Sequence, residues 1–213
     1  MIWLCAARMQ DCSPSSDLIR RVLLDVGEEK RSAWIRMGEE RAQESLMGIL
    51  LLQRCMDQAG ISPVGKRIAY GEKGKPYFQD ASLAFSISHA KGLTVCAVER
   101  CESGVSSGLG VDVERLDGRS GESMLRIAER WFTACERAAF SESPDAMQFF
   151  RIWTGKEALA KWSGEGLARV GDYDVTELPK DRRLTAYALD DAIVTLCYGV
   201  GSVAPHEIEW AEQ

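Results

Sequence analysis

Histidine is nearly absent from this chain: its 213 residues hold two, His89 and His206. A zinc centre built from several imidazoles is therefore excluded, and a serine–histidine–acid triad would have to rest on one of these two rings. Cysteine is present but unpatterned. Seven occur, an odd number, with no C-x-x-C pair, which speaks against a zinc ribbon and a secreted disulfide framework and fits a reducing cytosol. No apolar run approaches the ~20 residues that a membrane helix needs. Residues 1–7 are too short for the apolar stretch of a leader, and Arg8 follows them instead of preceding them, so they predict a first β-strand. Basic residues are outnumbered, 26 Lys and Arg against 32 Asp and Glu, for a net charge of −6. That balance opposes general nucleic-acid binding, which needs concentrated basic surface. The glycine-rich run at 71–75 lacks the spacing of a Walker loop.

What is present suits a globular protein, with 46% hydrophobic and 27% charged residues, enough for one domain or two small ones. Residues 18–24 alternate in a helical way, and residues 30–56 continue as one or two helices, with Leu46, Ile49 and Leu50 at helical spacing. A Gly/Pro-marked break at 60–66 and a glycine turn at 71–76 carrying Lys73 and Lys75 follow. Leu83, Phe85 and Ile87 alternate with Ala84, Ser86 and Ser88, the period of a strand; His89-Ala90-Lys91-Gly92 makes the turn and residues 93–98 return. The Ser/Gly-rich stretch 103–108 is the expected boundary, dividing the chain into 1–103 and 104–213. Beyond it, residues 110–114 read as a strand and Thr133-Ala134-Cys135-Glu136 as a capping box. Ser143-Pro144 is a start signal for a helix reaching about Trp162, stopped by Gly164 and Gly166. Residues 172–176 and 184–198 read as closing strands. Trp131, Phe132 and Trp162 are expected in the core.

Two segments carry chemistry. In Gly110-Val111-Asp112-Val113-Glu114 the two acids lie two apart on a strand, on one face and about 6–7 Å apart. They can share one Mg²⁺ or simply form the solvated face of an ordinary strand. In Trp153-Thr154-Gly155-Lys156-Glu157-Ala158-Leu159-Ala160-Lys161, Glu157 and Lys161 are four apart on a helix. A surface pair there is worth about 0.3–0.5 kcal/mol. Phe149, Ile152, Trp153 and Leu159 mark the apolar stripe, however, and Glu157 sits on its edge, where a partly desolvated carboxylate needs a cation or a metal. His89 can be a hydrogen-bonded turn residue or a catalyst, and Lys75 a solvated turn lysine or a phosphate grip. Three acids and a lysine brought together suit a divalent metal and a phosphate ester.

These elements, in this order, resemble the 4'-phosphopantetheinyl transferases of the surfactin-synthetase-activating (Sfp-like) type. The resemblance rests on Gly74-Lys75-Pro76, Phe85-Ser86-Ile87-Ser88-His89-Ala90, Gly110-Val111-Asp112-Val113-Glu114, Trp131-Phe132-Thr133 with Glu136, and the segment from Trp153 through Lys156-Glu157-Ala158 and Lys161 to Gly164 and Gly166-Leu167. The upstream pattern Ser45-Leu46-x-Gly48-x-x-Leu51 agrees, and the match spans residues 30–175. It implies a mixed α/β (α+β) fold of two similar halves, each a small sheet packed with helices, with the active site between them. It further implies a cytoplasmic enzyme, expected to be a monomer, that transfers phosphopantetheine from coenzyme A to a serine of an acyl or peptidyl carrier protein. Adenosine 3',5'-bisphosphate is released, and neither nucleic acid nor membrane is a partner.

By position, the resemblance assigns Asp112, Glu114 and Glu157 to Mg²⁺, and Lys161 and Glu157 to catalysis. Glu157 would help to take the serine proton, directly or through a metal-bound water. Gly74, Lys75, Pro76, Ser88, His89 and Lys156 would hold the coenzyme, its nucleotide lying against the N-terminal half. The chain departs from the family at Glu44, where an arginine is usual, leaving Lys30, Arg31 or Arg41 to grip the 3'-phosphate. It departs again at Ser86, in place of asparagine, and at Glu165. Glu44 and Glu165 motivate the alternative of a non-catalytic homologue that binds coenzyme A or a carrier; a phosphohydrolase using the same acids is a third reading. Because the chain is acidic and carriers present an acidic helix, docking calls for a local basic or apolar patch.

Overall fold

The structure is a computed structural model that describes residues 1–11, 39–64, 66–102, 104–106, 108–116, 119–142 and 145–211. The helical stretch expected at 18–24, together with Lys30 and Arg31, lies outside the described residues. Strand β1 (Ile2–Arg8) is followed by helix α1 (Glu39–Gln58), the short strands β2 (Ile68–Tyr70) and β3 (Pro76–Phe78), and the hairpin β4 (Leu83–Ala90) and β5 (Leu93–Arg100). The chain continues through β6 (Leu109–Arg115), α2 (Gly121–Trp131), α3 (Ala134–Glu142), α4 (Ala146–Ser163) and a 3₁₀ helix at Leu167–Asp172. Strands β7 (Arg182–Ala188), β8 (Ala192–Gly199) and β9 (Glu209–Trp210) complete it. Among the described residues no helix is long and apolar enough to cross a membrane.

Two sheets meet face to face. One has the order β4-β5-β1-β9, the other β6-β8-β7. Along β1 the period of two sends Ile2, Leu4 and Ala6 inward, where with Leu93, Val95 and Ala97 of β5 they meet Leu109, Val111 and Val113 of β6 and Val194 and Leu196 of β8. Cys5 and Ala7 point the other way, onto Met47, Leu51, Leu52 and Cys55 of α1. Strands covered on both faces read as continuous apolar runs, as β5 and β8 do. The outer face of the second sheet carries α4 through Ala158, Leu159 and Cys197. The layers run helix, sheet, sheet, helix: the mixed α/β fold of small sheets packed with helices. Strand β9 comes from beyond residue 104 yet pairs with β1, so the chain crosses back over the expected 103/104 division.

Several local expectations hold. The β4–β5 turn places Lys91 and Gly92 at φ 45° and 76°, the two positive values of a type I' hairpin. Thr133 and Glu136 form the reciprocal capping box, Glu136 Oε2 accepting from Thr133 N at 2.8 Å and Thr133 Oγ1 from Glu136 N at 3.2 Å. Helix α4 ends at Gly164 with φ 75°. Others are corrected. Ser143 and Pro144 lie outside the described residues, and the side chain that caps α4 belongs to Asp145, accepting from Gln148 N at 2.7 Å. Residues 172–176 are not a strand: Asp172 ends the 3₁₀ helix, and Asp174 accepts from Thr176 N at 2.8 Å, a side-chain-closed turn. Residues 184–198 resolve into β7 and β8 rather than one run.

Candidate active site

Strands β4 and β6 are the edges of their respective sheets, and serines stitch them together. Ser86 Oγ accepts from Val111 N at 3.0 Å, and Ser88 Oγ donates to Asp112 Oδ1 at 2.8 Å. Being two apart, both serines face the seam. Helix α4 lies directly on β6: a Cβ on Gly110 would sit 2.0 Å from the Ala158 carbonyl oxygen and 2.6 Å from Trp162 N, so only glycine allows this approach. The closeness sets a register. Two strand residues span about 6–7 Å and four helical residues about 6 Å, so the steps match. Trp153 Nε1 donates to Glu114 at 3.1 Å, and Lys161 Nζ, eight helical residues or about 12 Å further along the axis, lies 2.8 Å from Asp112 Oδ1. Glu157 stands on the helix between them.

The centre of the site is Asp112, 2% exposed. Its Oδ1 accepts from both Ser88 and Lys161, and Lys161 Nζ also reaches Ser88 Oγ at 2.6 Å. Its Oδ2 is buried with no hydrogen-bond partner. Glu157 feels this directly. Burial first, and the neighbouring Asp112 charge second, push its carboxyl up to about 9, against the pull of Lys161. Burial likewise raises Glu114, whose Oε1 is held by Trp153 and lies 3.6 Å from Arg119. Among the described residues no three His, Cys, Asp or Glu side chains form a ready metal cage. The buried, unpartnered oxygen of Asp112 beside a carboxyl that resists ionisation is nonetheless a site short of positive charge.

The acids line a cleft of about 480 Å³ together with Ser88, His89, Lys91 and Lys161. A neighbouring hollow of about 250 Å³ shares Ile87, Lys161 and Leu167 with it and is lined by Gly74, Lys75 and Pro76. Lys75 Nζ donates to the carbonyls of Leu109 (3.1 Å) and Trp162 (3.2 Å), pinning the glycine turn to the start of β6 and the end of α4. Burial lowers its ammonium to about 8. His89 turns Nδ1 to Glu44 Oε2 at 2.9 Å. Arg41, one of the residues suggested in place of an arginine at 44, is exposed. Glu165 accepts from Tyr173 OH at 2.8 Å.

Lys156 is corrected. It was expected at the coenzyme phosphates, but it is 0% exposed: its ammonium pairs with Glu136 Oε2 at 2.6 Å and donates to the Tyr173 carbonyl. Glu136 Oε1 in turn accepts from Val175 N. The pair therefore fastens α4 to α3 and to the segment after the 3₁₀ helix. Lys156→Met should cost roughly 3–5 kcal/mol of stability, the consequence of stranding a buried carboxylate. Urea unfolding measures that loss, and the KM for coenzyme should stay unchanged; a raised KM in a fully stable variant would return Lys156 to the phosphates. The sequence reading missed Lys91, Arg119 and the Glu44 contact. Ser86 carried a usable signal, its i, i+2 spacing from Ser88.

The 4'-phosphopantetheinyl transferase superfamily profile matches residues 108–203. The chain is 30% identical over 129 residues to the 4'-phosphopantetheinyl transferase HetI of Nostoc sp., covering 57% of this chain and 52% of that protein. It is 30% identical over 154 residues to a 4'-phosphopantetheinyl transferase of Bacillus subtilis, covering 70% and 64%. With the 4'-phosphopantetheinyl transferase AcpT of Salmonella typhimurium it shares 32% over 156 residues, covering 71% and 74%. The chain spans about half to two thirds of the length of the first two. The profile match over β6 to β8 and the likeness to most of AcpT place this chain in the 4'-phosphopantetheinyl transferase superfamily.

Proposed function

We propose that the protein transfers the 4'-phosphopantetheine arm of coenzyme A to a serine hydroxyl of an acyl or peptidyl carrier protein. The observation that carries this reading is the convergence of Ser88, Asp112 and Lys161 within hydrogen-bond reach, with Glu157 one helical turn before the lysine. In the reaction the serine oxygen bonds to the phosphorus bearing pantetheine while that phosphorus loses its bridging oxygen to adenosine 3',5'-bisphosphate. The serine proton passes to a carboxylate.

Asp112, Glu114 and Glu157 would hold Mg²⁺, an ion for which one or two carboxylates suffice when water and phosphate fill the remaining positions. The unpartnered Asp112 oxygen and the raised Glu157 carboxyl fit it. Bound there, it would spread charge over the diphosphate. Lys161 supplies an ammonium to the departing phosphate, fixed in advance by Asp112 and Ser88. Glu157 takes the serine proton. Ser88, His89 and Lys75 hold phosphates and nucleotide, and Gly74 and Pro76 shape the hollow beside them. Glu44 and Glu165, the departures behind a non-catalytic reading, are each tied to a neighbour, His89 and Tyr173. Cytosolic residence and a monomeric state belong to the same proposal.

Intact-protein mass spectrometry of an apo carrier with this protein, coenzyme A and Mg²⁺ tests it. A gain of one phosphopantetheine, lost on adding a chelator, is expected. No gain with carriers of the fatty-acid, polyketide and peptide types would overturn it.

A further inference from the structure

We infer that Glu44 is a positioning residue that sets His89 to receive an anionic group of the coenzyme, an inference that rests on the reading above. Glu44 is an acid on α1, 45 residues before the ring it touches. Its side chain is only 8% exposed while that of His89 is 43% exposed. Both carboxylate oxygens are engaged: Oε2 lies 2.9 Å from His89 Nδ1, and Oε1 accepts from Gly92 N at 3.2 Å.

The chemistry follows from which nitrogen faces which partner. A carboxylate is an acceptor only, so Nδ1 at 2.9 Å must carry hydrogen. Nε2, across the ring, is then left for the cleft that His89 lines with Lys91 and Lys161. A phosphate oxygen arriving at Nε2 is also an acceptor and requires a second hydrogen there. The ring then bridges two acceptors, Glu44 at Nδ1 and the phosphate at Nε2. The buried Glu44 carboxylate at Nδ1 fixes the ring's rotation. The same carboxylate braces the Lys91–Gly92 turn through the Gly92 N–H, so one residue of α1 sets two elements of the cleft rim. Glu44 thus stands one layer behind the ligand, and its negative charge works through His89 instead of against the phosphate.

The test uses the full chain, coenzyme A, Mg²⁺ and an apo carrier. Glu44→Ala should raise the KM for coenzyme A roughly tenfold, the worth of a hydrogen bond to a charged group, with kcat little changed. Glu44→Gln, which keeps one acceptor, should fall between, and it also serves if the alanine variant folds poorly. In a His89→Ala background, Glu44→Ala should add much less to KM than it does alone, only the share carried by the Gly92 contact. A role confined to folding would instead lower kcat and thermal stability and remain additive with His89→Ala. An unchanged or lowered KM in Glu44→Ala, or full additivity, overturns the inference. Absence of transfer by the unmodified protein would instead sink the reading on which it rests.

Discussion

Asp112→Asn should lower the transfer rate by roughly 10²–10³-fold, the scale of losing one preorganised electrostatic contact in an active site, while the protein remains folded. The substitution keeps shape and volume. An asparagine oxygen at the Oδ1 position can still accept from Ser88 and Lys161, so the β4–β6 seam and the lysine's position survive. What changes is the other atom. Oδ2, buried and without a hydrogen-bond partner, becomes an amide nitrogen bearing two hydrogens, a donor where the proposed cation would sit. Binding of coenzyme A, measured by calorimetry without metal, should be nearly unaffected because Lys75 and His89 are untouched. Single-turnover transfer followed by mass spectrometry should collapse. A variant that transfers at the original rate would remove Asp112 from the chemistry.

The site was legible in the sequence where a local spacing carried it. Asp112 and Glu114 share a strand face at i, i+2, and Glu157 and Lys161 share a helix face at i, i+4; the two steps match in length, so a helix lying on that strand brings the four side chains to one cleft. Gly164 announced the helix end, whereas the close approach that Gly110 permits shows only once the helix lies on the strand. Lys156 went astray although its signal was available. Next to Glu157, it lies about 100° further round the helix and cannot share the cleft; the partner for a buried ammonium was Glu136, twenty residues earlier. The strand expected at 172–176 failed for a different reason. Alternating Asp, Tyr and Val imitates period two, but Asp174 competes for the backbone through its own side chain. Glu44 had no local signal at all, since its contact with His89 exists only when α1 packs behind β4.

Glu157→Gln should abolish transfer and yet stabilise the metal-free protein at alkaline pH. In the folded chain the Glu157 carboxyl, ordinarily near 4.5, titrates at about 9 because burial and Asp112 both disfavour its charge. Folding therefore takes up a proton that the unfolded chain releases. Across the window between 4.5 and about 9 the unfolded state binds fewer protons than the folded one, so stability falls as pH rises. The contribution is complete below 4.5 and gone above about 9. Glutamine is neutral throughout and removes this slope. The melting temperature of the unsubstituted protein should thus drop relative to that of Glu157→Gln between pH 6 and pH 9, a difference read by calorimetry in chelator. Mg²⁺ at the upper pH should restore the unsubstituted protein, because a cation beside Asp112 makes the ionised carboxylate favourable, and should do little for the variant. Parallel melting curves for the two proteins at every pH would mean that Glu157 is already ionised and paired. Under the proposed role, the same destabilised carboxylate would accept the serine proton once positive charge arrives, so that the instability and the proposed activity would share one cause.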